Sequence, residues 1–182
     1  MSDNAAQLIG KGYVQVYTGN GKGKTTAALG LAFRAMGCGV RTYVGQFMKG
    51  QKYSELDAAQ KVPEFITIEQ FGKDTFVHVK YPPQPEDIEL VQKGLDKVRQ
   101  AIKSRKYNII VLDEITTAFH FNLLSIEDML NLIKTKPDGI ELIFTGRYAP
   151  KELIEAADLV TEMTEIKHYY QKNVPARQGI EK

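Results

Sequence analysis

Nine consecutive residues near the start of the chain have the types and spacing of a loop that binds phosphate. They are Thr18-Gly19-Asn20-Gly21-Lys22-Gly23-Lys24-Thr25-Thr26. Glycines let backbone amides turn toward phosphate oxygens, and the N-terminus of a following helix adds partial positive charge. Lys24 is expected to reach the outer phosphates, and the Thr25 hydroxyl is expected to bind Mg²⁺. The strict pattern begins with glycine, whereas this loop has Thr18 there and Gly19 one residue later.

The elements around the loop are those that a phosphate site requires. A strand is predicted over 13–17 and a helix over 24–36, so the loop leaves a strand and opens a helix. The alternative is a glycine-rich turn that caps a helix and binds nothing. The order of strand, loop and helix disfavours that alternative.

A second part of the site is predicted at Asp113 and Glu114. They follow the apolar run 109–112, whose lack of polar alternation is typical of a strand covered on both faces. The carboxyl end of such a strand can present carboxylates to a metal ion. An acid at the end of a buried strand is common by itself. Together with the loop, however, the pattern predicts a nucleoside triphosphate bound with Mg²⁺.

Three further cations narrow the chemistry. Lys22 gives the loop a second ammonium group, Arg34 lies on the helix that follows, and Arg147 comes just past a predicted strand. Such charges suit a triphosphate that leaves with its charge neutralised. Arg147 also fits a plain surface charge at a strand end. The loop alone does not distinguish hydrolysis, phosphoryl transfer and other displacements on ATP.

Short β-rich runs alternate with helical segments along the chain. Strands are predicted over 13–17, 40–47, 65–71, 108–112, 140–145 and 159–163. Helices are predicted over 24–36, 87–106, 126–133 (with Ser125 as N-cap) and 150–157. This order predicts one α/β domain over 1–182, with a mostly parallel sheet of about six strands and helices on both faces. Because the phosphate loop is also present, we expect the phosphate-loop NTPase-like (RecA-like) class of fold.

Four stretches lack such periodicity. Residues 49–53 and 72–85 are predicted to be mobile, the second of them as a lid because it carries three prolines. Residues 1–11 are polar, and the tail from 167 is predicted either to fray or to fold over another part of the protein.

Composition excludes several classes of protein. The chain has 182 residues, 43% of them hydrophobic and 25% charged, with a formal net charge of +2. This mix is that of an ordinary globular domain, and the near-balance of charge does not suggest a partner that is nucleic acid or an acidic membrane. Cys38 is the single cysteine, so no internal disulfide forms. With no apolar signal segment or membrane-length run, we expect a cytoplasmic protein.

Several ordered motifs together resemble the ATP:corrinoid adenosyltransferases of the cobalamin-biosynthetic, phosphate-loop type. The resemblance runs from about Gly12 to the C-terminus. Its distinctive pieces besides the phosphate loop are Gly45-Gln46-Phe47-Met48-Lys49-Gly50, Val111-Leu112-Asp113-Glu114-Ile115, Thr145-Gly146-Arg147, the stretch 156–163, Ile166-Lys167-His168 and Ala176-Arg177-Gln178-Gly179-Ile180. Several motifs in order are far more specific than a phosphate loop alone.

The resemblance implies an unusual displacement. A reduced Co(I) corrinoid attacks the 5′ carbon of the ATP ribose, a Co–C bond forms, and inorganic triphosphate leaves. The corrinoid supplies the nucleophile, so the protein supplies position and charge. ATP is expected to lie in the loop reversed relative to ordinary phosphate-loop enzymes, with its 5′ carbon toward the second substrate.

The same resemblance assigns residues. Residues 20–26 would wrap the triphosphate, with Mg²⁺ on Thr25 and Glu114, Arg34 near the nucleotide, and Arg147 facing the leaving group. Aromatic residues after the third strand would displace the lower axial ligand of cobalt, which makes Co(II) easier to reduce. The chain has no Trp, and Phe76 is the nearest candidate for that role. Ordinary loop packing is the alternative for Phe76.

Two other classes of function compete with this reading. A phosphate-loop kinase for a nucleoside or similar small molecule would release ADP rather than triphosphate. A small ATPase switch would release phosphate slowly without a corrinoid. The family also implies a cobalamin or cobinamide-type corrinoid as second substrate, an electron-donating reductase as partner, and a homodimer.

Overall fold

The computed structural model describes residues 9–74 and 82–182. Within them, six strands form one sheet. They are β1 (Val14–Thr18), β2 (Thr42–Phe47), β3 (Ile66–Phe71), β4 (Ile109–Asp113), β5 (Glu141–Thr145) and β6 (Leu159–Glu162). The order across the sheet is β3-β2-β4-β5-β1-β6, and every neighbouring pair is parallel. The carboxyl ends of all six strands therefore lie at the same edge of the sheet.

Helices connect the strands. They are α1 (Lys24–Met36), α2 (Ser54–Ala59), α3 (Pro85–Ser104), α4 (Ile115–His120), α5 (Ile126–Thr135) and α6 (Lys151–Ala156), with a 3₁₀ turn at Tyr169–Lys172. All six predicted strands and the four predicted helices are present, with bounds that differ by a few residues. No helix in the described ranges 9–74 and 82–182 is both long and apolar enough to cross a bilayer.

The core lies on both faces of the sheet. Along β4, Ile110 and Leu112 pack on the side that holds Leu95 of α3, while Ile109 and Val111 pack on the other side with Ala28 of α1. Because successive side chains of a strand point to opposite faces, an unbroken apolar run is what a strand covered on both sides requires. The prediction of helices on both faces is confirmed.

Two short helices were not predicted from the sequence. Both α2 and α4 have six residues. This is less than two turns, which leaves little room for a 3.6-residue hydrophobic period; α6 is equally short, but it begins directly after Pro150, a residue typical of helix starts. The longer α5 was predicted with its cap, and the Ser125 hydroxyl accepts from the Asp128 N–H at 3.2 Å while the Asp128 carboxylate accepts from the Ser125 N–H at 3.0 Å. That reciprocal capping box is confirmed, with Asp in place of the usual Glu.

Candidate nucleotide site

The phosphate loop connects β1 to α1 and is shaped around Lys24. Gly19 and Gly23 have φ of +97° and +119°, a left-handed region in which a side chain is strained. The Lys24 ammonium donates to the carbonyl oxygens of Gly19 at 2.8 Å and Gly21 at 2.6 Å, so the loop curls over its own lysine. Burial lowers the pKa of Lys24, and the charge of Glu114 partly offsets this effect.

The end of β6 supports the loop from behind. The Gly21 N–H donates to the Met163 carbonyl at 2.7 Å, and the Met163 N–H donates to the Thr18 carbonyl at 2.8 Å. The backbones approach so closely that a Cβ on Gly19 would lie 2.4 Å from the Met163 oxygen. Glycine is therefore required here by contact as well as by backbone conformation.

Thr18 stands where the strict loop pattern has glycine. It ends β1 and is buried, and its hydroxyl accepts from the Ala149 N–H at 3.2 Å. The side chain thus ties the loop to the segment that follows β5 rather than facing the nucleotide cavity. A glycine at this position would lack the hydroxyl that makes this contact.

Asp113, at the end of β4, is the buried acidic centre of the site. It has no exposed surface. Its Oδ1 accepts from the hydroxyls of Thr25 and Thr145, each at 2.7 Å. Its Oδ2 accepts from the Lys49 ammonium at 2.8 Å and from the Gln46 amide at 3.3 Å. Four donors, one of which is the Lys49 cation, compensate the burial of this charge.

Glu114 is the second acid of the pair and faces the cavity instead. It has a left-handed φ of +61° and precedes α4. Its N–H donates to the Thr145 hydroxyl at 3.0 Å, and its carboxylate accepts from the Thr117 hydroxyl at 2.6 Å. The change of backbone conformation between Asp113 and Glu114 turns one carboxylate into the core and the other toward the phosphate loop.

Arg147 reaches the same place from β5. Its N–H donates to the Thr117 hydroxyl at 3.0 Å, and its carbonyl accepts from the Thr116 hydroxyl at 2.8 Å. Next to it, the Tyr148 ring stacks on His120 with 4.1 Å between ring centroids. These contacts fix the backbone of Arg147 against α4, while its residue surface stays exposed.

The C-terminal tail folds across the phosphate loop. The Lys22 ammonium donates to the Ile180 carbonyl at 3.3 Å, and the Glu165 N–H donates to the Asn20 side chain at 2.9 Å. Within the tail, the Tyr169 hydroxyl donates to the Glu181 carboxylate, and the guanidinium of Arg177 lies 4.9 Å from the centre of the Tyr169 ring. Of the two predicted states of the tail, the structure has the folded one.

Two adjoining cavities result. The first has a volume of about 270 Å³ and is lined by residues 20–26, Glu114, Arg147, His168, Ile180 and Glu181. The second, of about 310 Å³, lies beyond Thr25 and Thr26, where Lys49, Tyr53 and residues 179–182 form part of its wall. Thr25 and Thr26 belong to both cavities.

The predicted site residues divide into four groups. Thr18 and Gly19 do not line the first cavity: the Thr18 hydroxyl accepts from Ala149, and the Gly19 carbonyl accepts from Lys24. Asn20, Gly21, Lys22, Gly23, Lys24, Thr25, Thr26, Glu114 and Arg147 share the first cavity. Arg34 is not among its lining residues; it lies ten residues beyond Lys24 along α1, about 15 Å at 1.5 Å per residue. Phe76 lies outside the described residues.

Sequence reasoning missed several contributors to the cavities, among them His168 and Lys49. His168, which looks like an ordinary surface or packing histidine in the sequence, lines the first cavity. Lys49 lies in a stretch predicted to be mobile, yet its ammonium is anchored on Asp113. Its position in the sequence could have indicated a role in the site. Lys49 comes two residues after the carboxyl end of β2, at the edge of the sheet where ligands bind.

Comparison with a solved structure agrees with the observed fold. The fold is similar to that of a KaiC-like protein from the archaeon Pyrococcus horikoshii, with a TM-score of 0.53 and 18% sequence identity over 87% of this chain and 75% of that one. At this identity the likeness concerns the fold alone. It is consistent with the predicted RecA-like α/β sheet, which is confirmed.

Sequence relatives are more specific. A corrinoid adenosyltransferase from Sinorhizobium sp. is 34% identical over 178 residues, covering 94% of this chain and 80% of the relative. Corrinoid adenosyltransferases from Pseudomonas aeruginosa and Escherichia coli are 31% and 30% identical, each over 94% of this chain and over 84% and 86% of their own length. The family model for ATP:corrinoid adenosyltransferase BtuR/CobO/CobP matches residues 10–181. The chain therefore belongs to the ATP:corrinoid adenosyltransferase family and is a transferase.

Proposed function

We propose that this protein transfers the 5′-deoxyadenosyl group of ATP to the cobalt of a reduced Co(I) corrinoid and releases inorganic triphosphate, in the synthesis or salvage of adenosylcobalamin. The observation that carries the proposal is a cavity in which the phosphate loop, Glu114 and Arg147 meet, in a chain that matches the family over residues 10–181. A phosphate-loop kinase has no comparable support.

The reaction balances without a nucleophile from the protein. The Co(I) electron pair forms the Co–C bond, the bond between the 5′ carbon and its phosphate oxygen breaks, and triphosphate carries away that electron pair. Cobalt is thereby oxidised from Co(I) to Co(III). The protein's part is to hold the 5′ carbon in line and to stabilise the negative charge that develops on triphosphate.

Lys24, Lys22 and Arg147 supply that stabilisation. All three line the first cavity, and Lys24 is the most enclosed of them, with a relative exposure of 7%. In the reaction the Lys24 ammonium exchanges the carbonyl oxygens of Gly19 and Gly21 for phosphate oxygens. A role for Arg34 at the nucleotide rests on the family resemblance alone.

The residues present fit a magnesium ion. Thr25 and Glu114 would hold it, because both line the cavity, and a hydroxyl plus a carboxylate are ligands that Mg²⁺ accepts beside phosphate oxygens. Asp113 already accepts from four donors and is wholly buried, so it would support Thr25 from behind. When bound, Mg²⁺ would neutralise charge on the triphosphate.

The test is a spectroscopic assay under strict anoxia. Protein, Mg·ATP and chemically reduced cob(I)alamin are mixed, and the light-sensitive spectrum of adenosylcobalamin is followed together with inorganic triphosphate. Both products are expected. If ATP binds and neither product forms, the transfer is refuted, and ADP formation with a nucleoside acceptor would establish the kinase instead.

Phe76 is proposed to displace the lower ligand of cobalt. This proposal rests on the family resemblance, since Phe76 lies outside the described residues. Phe76→Ala is expected to impair adenosylation that starts from Co(II) corrinoid about tenfold or more, since an aromatic contact is lost, and to impair reaction with prereduced Co(I) corrinoid much less. Parallel assays with the two oxidation states measure this. An equal loss in both would contradict the ligand-displacing role.

Three properties belong to the same proposal. An electron-donating reductase must supply Co(I), since cobalt is oxidised in each turnover. The family resemblance supports a homodimer. The near-balanced formal net charge of +2 supports a protein without a nucleic-acid or membrane partner, and the single Cys38 is typical of a reducing compartment such as the cytoplasm.

A further inference from the structure

The phosphate-loop chemistry and the proposed transfer step described above assign no role to the charge of Lys49. It lies in the motif Gly45-Gln46-Phe47-Met48-Lys49-Gly50, just past β2. Its side chain is only 15% exposed, and its ammonium is 2.8 Å from Asp113 Oδ2 and 3.4 Å from the Thr25 hydroxyl oxygen. It also lies 5.2 Å from the centre of the Tyr53 ring, on the wall of the second cavity.

The backbone around Lys49 is built to hold it there. Met48 has a left-handed φ of +57°, and its N–H donates to the Phe71 carbonyl at 3.1 Å. Two glycines let the loops after β2 and β3 touch. A Cβ on Gly50 would lie 2.4 Å from the Lys73 carbonyl carbon, and one on Gly72 would lie 2.5 Å from the Lys49 nitrogen. The turn thus fixes the position of the Lys49 backbone, from which the side chain extends.

The ammonium of Lys49 is held by Asp113, which in turn contacts the phosphate loop. Lys49 holds Oδ2 of Asp113, and Oδ1 of the same carboxylate accepts from the Thr25 hydroxyl at 2.7 Å. Gln46 also donates to Oδ2, but it is neutral and shared with Glu55 at 3.0 Å. Lys49 is therefore the cation that keeps the buried carboxylate in one orientation.

We propose that Lys49 is a positioning residue of the adenosyl transfer: it orients Asp113, and through Asp113 it orients the Thr25 hydroxyl toward magnesium-bound ATP. The inference deepens the proposed function and rests on it for the role of Thr25. It also explains the motif at the carboxyl end of β2, because the turn, the glycine contact and the lysine together place one ammonium against one carboxylate.

Lys49→Met is expected to lower the affinity for ATP in excess Mg²⁺ by about 10- to 100-fold, the usual cost of losing a residue that orients a metal ligand. Affinity measured in EDTA should change little, because Thr25 then has no cation to meet. Isothermal titration calorimetry with ATP under both conditions gives the ratio of the ATP affinity in Mg²⁺ to the ATP affinity in EDTA. Lys49→Arg, which keeps the charge, should recover part of the magnesium effect.

Lys52→Met is the matched control. Lys52 lies three residues further on, is exposed, and pairs with Asp57 at 3.2 Å, so its loss should leave the ratio unchanged. If Lys49→Met does not fold, Lys49→Gln keeps a donor for Asp113 without the charge and should show the same loss. A wild-type ratio in a folded Lys49→Met or Lys49→Gln protein, or tighter magnesium-dependent binding, overturns the proposal.

The titration needs no corrinoid. Its result is therefore separate from the outcome of adenosyl transfer, which is assayed on the wild-type protein from the same preparation. Failure of the wild type to form adenosylcobalamin would refute the proposed function while leaving the magnesium result on Lys49 intact. A changed melting temperature without a changed ratio would assign the Lys49–Asp113 pair to folding alone and refute the positioning role.

Discussion

Replacing Lys24 with alanine is expected to weaken ATP binding by roughly 30- to 5,000-fold and to abolish turnover at ordinary ATP concentrations. Removing one partner of an enclosed charge-assisted contact costs about 2–5 kcal/mol, and each 1.4 kcal/mol is tenfold in Kd. Lys24 is enclosed in this way, since its relative exposure is 7% and its ammonium already lies at the centre of the loop. Calorimetric titration with Mg·ATP and the anoxic assay measure the two effects.

Lys22→Ala is the matched control for Lys24→Ala. Lys22 is two residues away in the same loop, but it is exposed and its ammonium reaches the Ile180 carbonyl at 3.3 Å. We expect a loss of affinity well below that of Lys24→Ala, because solvent screens an exposed charge. Lys22→Ala should melt near the wild-type temperature, whereas Lys24→Ala should melt somewhat lower, because the carbonyls of Gly19 and Gly21 lose their donor. Near-normal turnover of a folded Lys24→Ala protein would contradict the phosphate-loop assignment.

The phosphate loop was predictable because all its information is local. Glycine spacing, the strand before it and the helix after it lie within about two dozen residues, and each constrains the same backbone turn. The same holds for Ser125, whose cap partner Asp128 is three residues away. The burial of the central strand was also predictable, because an unbroken apolar run such as 109–112 indicates a strand covered on both faces whichever strands lie beside it.

The rest of the site depends on contacts between distant residues. Lys49 and Asp113 are 64 residues apart, and Asn20 and Glu165 are 145 apart. A polar stretch with glycine is typical of a loop in solvent, and only the neighbouring positions of β2 and β4 in the sheet turn it into an ion pair. For the same reason the tail, which has little periodicity of its own, takes its structure from the loop that it covers.

Gly19→Ala is expected to lower both the free energy of unfolding and the affinity for ATP. A side chain at a left-handed φ costs about 1–3 kcal/mol, and overpacking adds about 1–3 kcal/mol. Both terms apply, because Gly19 has φ of +97° and its Cβ would lie 2.4 Å from the Met163 carbonyl oxygen. The end of β6 would have to move, and the loop carbonyl that receives Lys24 would move with it. Chemical denaturation and ATP titration measure the two losses.

Gly39→Ala separates strain from contact. Gly39 also has a left-handed φ, of +77°, but a Cβ there would meet no atom within 4 Å, and the residue is exposed beyond the end of α1. It should therefore lose only the strain cost of about 1–3 kcal/mol and keep its affinity for ATP. Equal destabilisation of the two variants, with ATP binding retained in Gly19→Ala, would mean that β6 does not brace the loop. A larger loss in Gly19→Ala, accompanied by weaker ATP binding, makes the edge strand part of the nucleotide site even though none of its own residues lines the cavity.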